Sequence, residues 1–383
     1  MMVELKREFP GEIMTKWCYE SVFMHAPYQF CGHVDEYFIA RTRHLCILYF
    51  ETRFGKKMHC LRRYEGGELV EERPLSSSNG RIGYYLHYWF NHVVELWKFS
   101  RRRPRTLVAC GHPIEMFGMT ILKLFRCLSY SYWIGDYFPD RRFVIRAYER
   151  VKKFYHGRAD YVWYLSDPIN RMMNGGQVRT DARHHTVSWG LRLHEGCEVD
   201  RGDSRRILFV GLLRSGQGIE RLLAFVAAHQ EYALSLIGNS ANGYDRVITE
   251  MIVRLGIGER VLFPNRFYST EELDVEARRC FVGMALYDLA ADNFTHYADP
   301  GKVKAYVEMG LPVVMTRISD VVNAIEKFKS GEIVDSMDEV GAAVDRIAKG
   351  GSTYRKGVLD FAAHYDFERY YAEGFRSYEE VWG

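Results

Sequence analysis

The sequence lacks the common signatures of metal, nucleotide and membrane binding. Its eight cysteines form no Cys-x-x-Cys pair and no zinc-ligand spacing, which excludes a zinc module and indicates reduced thiols. No Gly-Lys-Ser/Thr triplet is present, which excludes a Walker loop. No apolar run reaches about 18 residues, so no membrane-spanning helix is predicted. With only ten prolines and no biased tract, the 383 residues leave little room for a long linker.

Net charge is also small, but it is unevenly distributed. Residues 1–200 hold 30 basic and 22 acidic side chains, a balance of +8. Residues 201–383 hold the remaining 22 basic and 27 acidic side chains, a balance of −5. The basic excess peaks over residues 101–158, with 13 basic and four acidic side chains. This asymmetry indicates that the first half faces an anionic partner or surface.

The hydrophobic pattern predicts an α/β fold with two lobes. A content of 47% hydrophobic and 26% charged residues is typical of a globular protein, and the length suits two domains of under about 200 residues each. In the second half, short apolar runs alternate with helical segments, which predicts βαβ units around a doubly wound parallel sheet. These strands are predicted at 207–211, 232–238, 261–264, 281–286, 312–316 and 332–335.

The first half repeats this alternation less clearly. Its strands are predicted at 44–50, 57–62, 106–111, 129–134 and 159–166. Residues 1–40 carry no clear pattern and are predicted to form an irregular cap. We therefore expect a first domain over 1–200, a second over 201–359, and a final helix over 360–383 that crosses back to the first, with the boundary in the charged segment 195–205.

Ligands of parallel sheets bind at the carboxyl ends of the strands, and three segments of the second half follow predicted strands there. One is a glycine-containing loop over 211–218, one follows the strand that ends at 238, and one opens a short helix at 301. The residues in these segments that could contact a ligand are Gly211, Arg214, Gln217, Gly238, Asn239, Tyr297, Asp299, Pro300, Gly301, Lys302 and Glu308.

The third segment is the most informative of the three. Pro300 and Gly301 open a helix that ends at Gly310, in agreement with the preference of proline for the first turn and of glycine for the end. The free amides at the start of this helix and the Lys302 ammonium would together form a diphosphate site. A tight turn with no ligand is the alternative for the 211–218 loop.

Residues 300–314 read Pro-x-Lys-x-x-x-Tyr-x-x-x-Gly-x-Pro-Val-Val, which resembles the donor-binding helix of GT-B glycosyltransferases, especially family 4. The segments at 209–220, 131–139 and 159–166 resemble other parts of the same fold. The resemblance implies two Rossmann-like lobes that face each other across a cleft. It also implies transfer of a sugar from a UDP- or GDP-linked donor to a hydroxyl of a glycan or lipid-linked saccharide in cell-surface polysaccharide synthesis, with no further cofactor.

The phosphate loop departs from the family pattern at two positions. The family usually has arginine just after the first glycine and lysine just before the last, where this chain has Leu212 and Gln217. We expect Arg214 to replace the missing charge, or the backbone amides to bind phosphate alone.

Two glutamates that usually contact the donor sugar and ribose are also missing. Their counterparts by spacing are Tyr297 and Ala305, and Asp299 or Glu308 is expected to take over. These departures keep two alternatives open. One is a non-catalytic glycan-binding or scaffold protein of the same fold, and the other is a nucleotide-sugar epimerase.

For the resembled reaction, the growing charge on the diphosphate must be stabilised. Lys302, Arg214 and the helix N-terminus would supply this without a metal, and the chain contains no Asp-x-Asp motif. We expect a metal-independent, retaining enzyme. Asp136 and His112, each just after a predicted strand, are the candidate catalytic or acceptor-side residues. The alternatives are a turn-forming aspartate and a helix-capping histidine.

Residues 84–105 combine aromatic side chains with a cluster of arginines. A buried helix with a charged end is one interpretation. The other is a surface that rests on an anionic membrane, because tryptophan, tyrosine and arginine favour that interface. We expect a cytoplasmic protein at the inner face of the membrane, and no nucleic-acid binding because no reading motif is present.

Overall fold

The computed structural model describes residues 17–27, 32–51, 58–78, 80–103, 105–139, 142–194, 197, 204–240, 243–290 and 293–382. Two sheets organise these residues. Most of the predicted boundary segment 195–205, and the first 16 residues of the predicted cap, lie outside the described residues. Among the described residues, no helix is both long enough and apolar enough to cross a membrane.

The first sheet has eight strands in the order β4-β3-β2-β1-β5-β6-β7-β8. The pairings from β2 through β1 to β8 are parallel, and β3 and β4 extend the sheet by antiparallel pairing. The strands are β1 (Tyr19–Pro27), β2 (Thr42–Glu51), β3 (Met58–Glu65), β4 (Glu68–Leu75), β5 (Thr106–Cys110), β6 (Leu128–Ile134), β7 (Tyr161–Tyr164) and β8 (His184–Thr186).

The second sheet has six strands, all parallel, in the order β11-β10-β9-β12-β13-β14. Its strands are mostly apolar, as expected for a parallel sheet with helices on both faces, which is why the sequence predicts them well. They are β9 (Arg206–Val210), β10 (Ala233–Ile237), β11 (Val261–Leu262), β12 (Val282–Ala285), β13 (Val313–Thr316) and β14 (Gly331–Val334).

Helices connect the strands within both lobes. The helices of the first lobe are α1 (Val34–Arg41), α2 (Arg81–Arg101), α3 (Pro113–Leu122), α4 (Phe143–His156) and α5 (Asp167–Met173). Those that follow are α6 (Ile219–Ala228), α7 (Tyr244–Arg254), α8 (Thr270–Ala277), α9 (Gly301–Glu308), α10 (Val321–Phe328), α11 (Val340–Lys349), α12 (Gly351–His364), α13 (Phe367–Gly374) and α14 (Arg376–Trp382). Single 3-10 turns lie at Gly258–Arg260, Phe294–His296 and Met337–Glu339.

The expectation of an irregular cap over residues 1–40 is wrong for its described part. Strand β1 lies between β2 and β5 inside the first sheet, and α1 follows it. The sequence signal is weak because polar Ser21 and His25 interrupt the apolar run, yet both are buried. Ser21 hydrogen-bonds Thr106 of the neighbouring strand, a partner 85 residues away that periodicity cannot reveal.

The last two helices contact the first lobe. The Tyr371 hydroxyl of α13 donates to the Gly32 carbonyl at 2.5 Å. The Tyr378 hydroxyl of α14 lies 2.9 Å from the Ser131 hydroxyl of β6. The preceding α12 instead packs against α10 of the second lobe. The chain therefore passes from the second lobe back to the first near residue 366.

Candidate functional site

The N-terminus of α9 and the 211–218 loop lie against each other at the carboxyl edge of the second sheet. Pro300 is the residue before the first turn of α9, and Lys302 lies within that turn. The Lys302 ammonium donates to the side-chain oxygen of Gln217 at 2.9 Å. It also lies 4.0 Å from the centre of the Phe209 ring and 4.9 Å from that of Tyr287. The structure thus brings the 211–218 loop and the start of α9 into contact.

The partners of Lys302 do not neutralise its charge. Gln217 is neutral and the two rings offer only weak cation–π attraction. Burial, with a smaller contribution from the Arg214 charge, lowers the pKa of Lys302 to about 7. A bound anion at this position would favour the protonated ammonium and offset the desolvation.

Gly238 and Gly218 each allow a neighbouring backbone segment to approach closely at this edge of the second sheet. A Cβ atom on Gly238 would lie 1.8 Å from the Gly211 carbonyl oxygen, and one on Gly218 would lie 1.8 Å from the Leu286 carbonyl oxygen. The Leu213 amide donates to the Asn239 carbonyl at 3.0 Å, so the backbone of Asn239 holds the 211–218 loop. The three ligand segments therefore converge at one edge.

Arg214 stands at the open side of this edge. It is exposed, and its guanidinium lies 5.6 Å from the centre of the Phe294 ring. It is close enough to Lys302 to lower the pKa of that amine. The two cations therefore lie close enough to interact with one anion.

The turn that precedes α9 lies at the boundary with the first lobe. The Ser166 hydroxyl, just after β7, donates to the Tyr297 carbonyl. The Tyr297 and Tyr137 rings are 4.9 Å apart between centres, and Phe138 lies 5.5 Å from Phe294. The carboxyl edges of the two sheets therefore face each other around this turn.

Asp299 is already engaged by the first lobe. One of its carboxylate oxygens accepts from the Ser188 hydroxyl at 2.5 Å and from the Trp189 amide at 2.9 Å. Both donors belong to the segment that leaves β8. Through these contacts Asp299 links the two lobes. They do not support the expectation that Asp299 replaces a missing glutamate in donor binding.

Glu308 lies at the opposite end of α9 from Lys302. Its carboxylate accepts from the His33 ring at 2.8 Å and from the Arg192 amide at 3.0 Å. Six residues of helical rise, about 9 Å, separate it from the diphosphate end. This position and these partners do not support the prediction that Glu308 contacts the donor.

His112 caps α3, which is the alternative that the sequence left open. Its Nδ1 accepts from the Ile114 amide at 3.2 Å, and the Glu115 side chain completes a capping box. Burial lowers the pKa of His112, so the ring is neutral near pH 7. Tyr85 and Tyr148 each lie 5.8 Å away, so the ring is held within a tyrosine cluster at the carboxyl end of β5.

Asp136 is exposed in the loop that follows β6. Its backbone carbonyl accepts from the buried Lys152 ammonium at 2.5 Å, and Lys152 in turn pairs with Glu149 at 3.0 Å. Lys152 and Glu149 of α4 thus hold the backbone at Asp136, next to Tyr137 and Phe138, which contact the second lobe.

A buried polar network at the carboxyl end of β5 was not predicted from the sequence. The Glu115 carboxylate accepts from the Gly111 amide at 2.8 Å and lies 3.2 Å from the His25 ring, which itself lies 2.8 Å from His92. Burial alone would raise the pKa of Glu115, but His25 and the other hydrogen-bond donors lower it to about 2. The spacing His112-Pro-Ile-Glu115 signals the capping box, whereas the long-range histidines leave no sequence signal.

Within the described ranges, no group of three or more His, Cys, Asp or Glu side chains is arranged to hold a metal ion. The positive charge at this edge comes from Lys302, Arg214 and the amides of α9.

Comparison with known protein families and with curated proteins finds no match. Among solved structures, the sucrose-phosphate synthase of Thermosynechococcus elongatus superposes with a TM-score of 0.69 at 14% identity, over 94% of this chain and 99% of that chain. A UDP-forming trehalose-phosphate synthase of Burkholderia vietnamiensis superposes with a TM-score of 0.65 at 11% identity, over 94% of this chain and 100% of that chain. HepE of Anabaena, solved in complex with UDP, superposes with a TM-score of 0.61 at 13% identity, over 94% of this chain and 100% of that chain.

These similar structures are GT-B glycosyltransferases, built from two Rossmann-like lobes. The sequence identity is low, so the likeness concerns the fold. The fold predicted from the 300–314 motif is confirmed: this chain has the GT-B fold.

Proposed function

We propose that the protein transfers a sugar from a nucleoside-diphosphate sugar to a hydroxyl acceptor. The observation that carries the proposal is the contact of Lys302, in the first turn of α9, with Gln217 of the 211–218 loop, between two lobes of GT-B fold. This group of donors suits a diphosphate leaving group. HepE, of similar fold, was solved with UDP and with UDP-glucose, which favours a UDP-linked donor over a GDP-linked one.

We propose further that the reaction needs no metal and retains the configuration of the sugar. Two cations and a helix N-terminus can stabilise the negative charge that grows on the leaving group. Front-face attack, which retains configuration, requires no general base on the acceptor. This agrees with the capping role of His112, whose Nδ1 already accepts from the Ile114 amide. Asp136 is the remaining candidate on the acceptor side, because it is exposed next to the boundary.

The proposed acceptor is a glycan or a lipid-linked saccharide in cell-surface polysaccharide synthesis. Two proteins of similar fold support this class: WaaG, described as a glycosyltransferase involved in lipopolysaccharide biosynthesis, and WaaB, a lipopolysaccharide outer core galactosyltransferase. Such an acceptor would place the protein in the cytoplasm, at the inner face of a membrane.

A non-catalytic nucleotide- or glycan-binding protein is the second candidate. It is favoured by the contacts of Asp299 and Glu308, which are both engaged elsewhere and so leave the missing glutamate pair without a replacement. In that case the diphosphate site would bind without turnover.

Donor hydrolysis separates the two candidates. The protein is incubated with a panel of UDP- and GDP-linked sugars, and the released nucleoside diphosphate and the anomer of the freed sugar are followed by NMR. We expect slow release that EDTA does not inhibit, with the donor's anomeric configuration kept in the first product. Diphosphate binding without release, from any donor and with acceptor glycans added, would favour the non-catalytic candidate.

A further inference from the structure

Three consecutive helices of the first lobe, α2, α3 and α4, expose no negative charge. Apart from the Arg81 side chain, every residue of these helices is described, and their carboxylates are Glu95, Glu115 and Glu149. These are only 7%, 1% and 8% exposed. Glu95 pairs with Arg73 at 2.6 Å, and Glu149 with Lys152 at 3.0 Å. The solvent side of the three helices therefore consists of apolar, neutral polar and cationic side chains.

Large apolar side chains form a stripe along α2. Ile82, Leu86 and Phe90 recur every fourth residue, so they share one face of the helix, and Trp97 continues the stripe two turns later. Ile82 is 79% exposed and Leu86 is 60% exposed. Side chains of this kind normally face a core, so a whole exposed stripe indicates a covering partner.

The next two helices extend this apolar surface. The turn after α3 presents Leu124 and Phe125, which are 79% and 65% exposed. The other exposed large apolar residues of α3 and α4 are Phe117, Ile121, Phe143, Val144, Val151 and Phe154.

The stripes adjoin one another. The Trp89 ring of α2 lies 6.1 Å from the Phe117 ring of α3, and the Arg126 guanidinium lies 4.3 Å above Trp97. Helix α3 in turn packs against α4. We refer to the exposed side chains of residues 82–98, 117–126 and 143–158 as the three-helix face.

Cationic side chains surround the apolar ones. The exposed basic residues on or beside the three-helix face are Lys98, Arg101, Arg102, Arg146, Arg150, Lys153 and Arg158. Arg158 lies 3.6 Å above the Phe154 ring, so basic and aromatic groups are mixed on the same surface.

We propose that the three-helix face binds the surface of an anionic lipid bilayer. Apolar side chains that project from several elements can enter the headgroup region, while arginine and lysine beside them contact lipid phosphates. Charge complementarity favours this occupant, because the three helices expose no carboxylate of the kind that an interface with a mixed-charge protein surface would use, and the bordering Asp160 is paired with Lys123. The surface is broader than the 84–105 segment that the sequence suggests.

The three-helix face also reaches the interlobe boundary. His112, which begins α3, packs on Tyr85 of α2 and lies at the carboxyl end of β5. A bilayer on this face would therefore lie beside the acceptor edge of the first lobe. That last step rests on the proposed function, whereas the lipid binding itself does not.

Vesicle sedimentation with the full chain tests the proposal. We compare vesicles of phosphatidylcholine alone with vesicles in which about a third of the lipid is phosphatidylglycerol. We expect binding to the anionic vesicles that falls with salt, and little binding to the neutral ones. Reversal of three charges on α4 (Arg146→Glu, Arg150→Glu and Lys153→Glu) should weaken partitioning by roughly tenfold or more.

Leu124→Glu and Val253→Glu form a matched pair of variants. Each replaces an aliphatic side chain that is 79% or 76% exposed by a carboxylate, but Val253 lies on α7 of the second lobe. Leu124→Glu should lose anionic-vesicle binding and Val253→Glu should keep it, with unchanged thermal unfolding in both. Equal binding of the two variants, equal binding to neutral vesicles, or a dimer that Leu124→Glu dissociates in a chain that binds no vesicles would overturn the proposal.

Discussion

Lys302 is the residue on which the candidate site depends. Its position could be predicted because Pro300-Gly301 marks a helix start locally, and helix starts bind anions. Its environment could not, because Phe209 and Gln217 are brought to it from about 90 residues away. The structure adds a cation that is held next to neutral groups and that an anion would stabilise.

Diphosphate affinity should depend on pH through Lys302. Since its pKa in the unliganded protein is lowered to about 7, the amine is largely neutral above that pH, and binding must then take up a proton. We expect the dissociation constant of UDP to rise by up to roughly tenfold per pH unit above about pH 7.5. Calorimetry in buffers of different ionisation enthalpy measures the proton uptake.

Lys302→Arg is the control for this pH dependence, because a guanidinium stays protonated throughout the range. The variant should bind UDP with a nearly flat profile from neutral to alkaline pH. A wild-type profile that is equally flat would show that the lysine charge plays no part.

Gly218 tests the packing of the 211–218 loop. It precedes α6 with φ of 73°, and an added Cβ would collide with the Leu286 carbonyl. Gly243 precedes α7 with φ of 76° in open space, so it matches the backbone strain without the collision. We expect Gly243→Ala to cost about 1–2 kcal/mol in chemical denaturation and Gly218→Ala clearly more, with loss of UDP binding. Equal losses in the two variants would contradict the close approach.

At the scale of single elements, helix α9 joins the site to the rest of the molecule. Lys302 at one end faces the 211–218 loop, and Glu308 at the other binds His33 and the Arg192 amide. The sequence predicts the helix and its first turn. It does not reveal the contact between Glu308 and His33, because His33 is 275 residues away in the chain.

Glu308→Gln should change how stability depends on pH. Burial favours neutral His33, but hydrogen bonds to Glu308 and Glu36 raise its pKa from 6.5 to about 9. The stabilisation of the folded state by protonated His33 is therefore full below pH 6.5 and is lost as pH rises through 9. It amounts to at most about 3 kcal/mol. Urea denaturation across this window should show a smaller decline in the variant.

The exposed Glu250 of α7 provides the control, because Glu250→Gln removes a carboxylate without touching His33. Its stability profile should follow that of the wild type. A profile of Glu308→Gln that also matches the wild type would exclude the proposed coupling.

Asp299 is expected to stabilise the lobe contact and to contribute little to donor binding. Asp299→Ala removes the acceptor of the Ser188 hydroxyl and the Trp189 amide, so unfolding should become easier by about 2–3 kcal/mol. Asp299→Asn, which retains an acceptor oxygen, should recover much of this. UDP affinity should change little in either variant, and a stable alanine variant that no longer binds UDP would identify Asp299 as a ligand.

At the scale of the whole molecule, two lobes could be predicted because buried parallel strands are nearly pure apolar runs, as β12 and β13 are. The central strand β1 could not, since buried His25 resembles a surface residue until Glu115 is seen beside it. Only part of the three-helix face, the 84–105 segment, could be predicted from the sequence. Glu95, Glu115 and Glu149 appear as ordinary surface charges, and their burial depends on tertiary contacts.

The account as a whole requires that the interlobe edge bind a nucleoside diphosphate. The most direct measurement is calorimetric titration of UDP into the folded chain, beside Lys302→Ala and the control Lys356→Ala on the exposed face of α12. The account predicts binding by the wild type and by Lys356→Ala, and a loss of about 1.5–3 kcal/mol for Lys302→Ala. Absence of UDP and GDP binding in a folded protein, or equal affinity in all three chains, would contradict it.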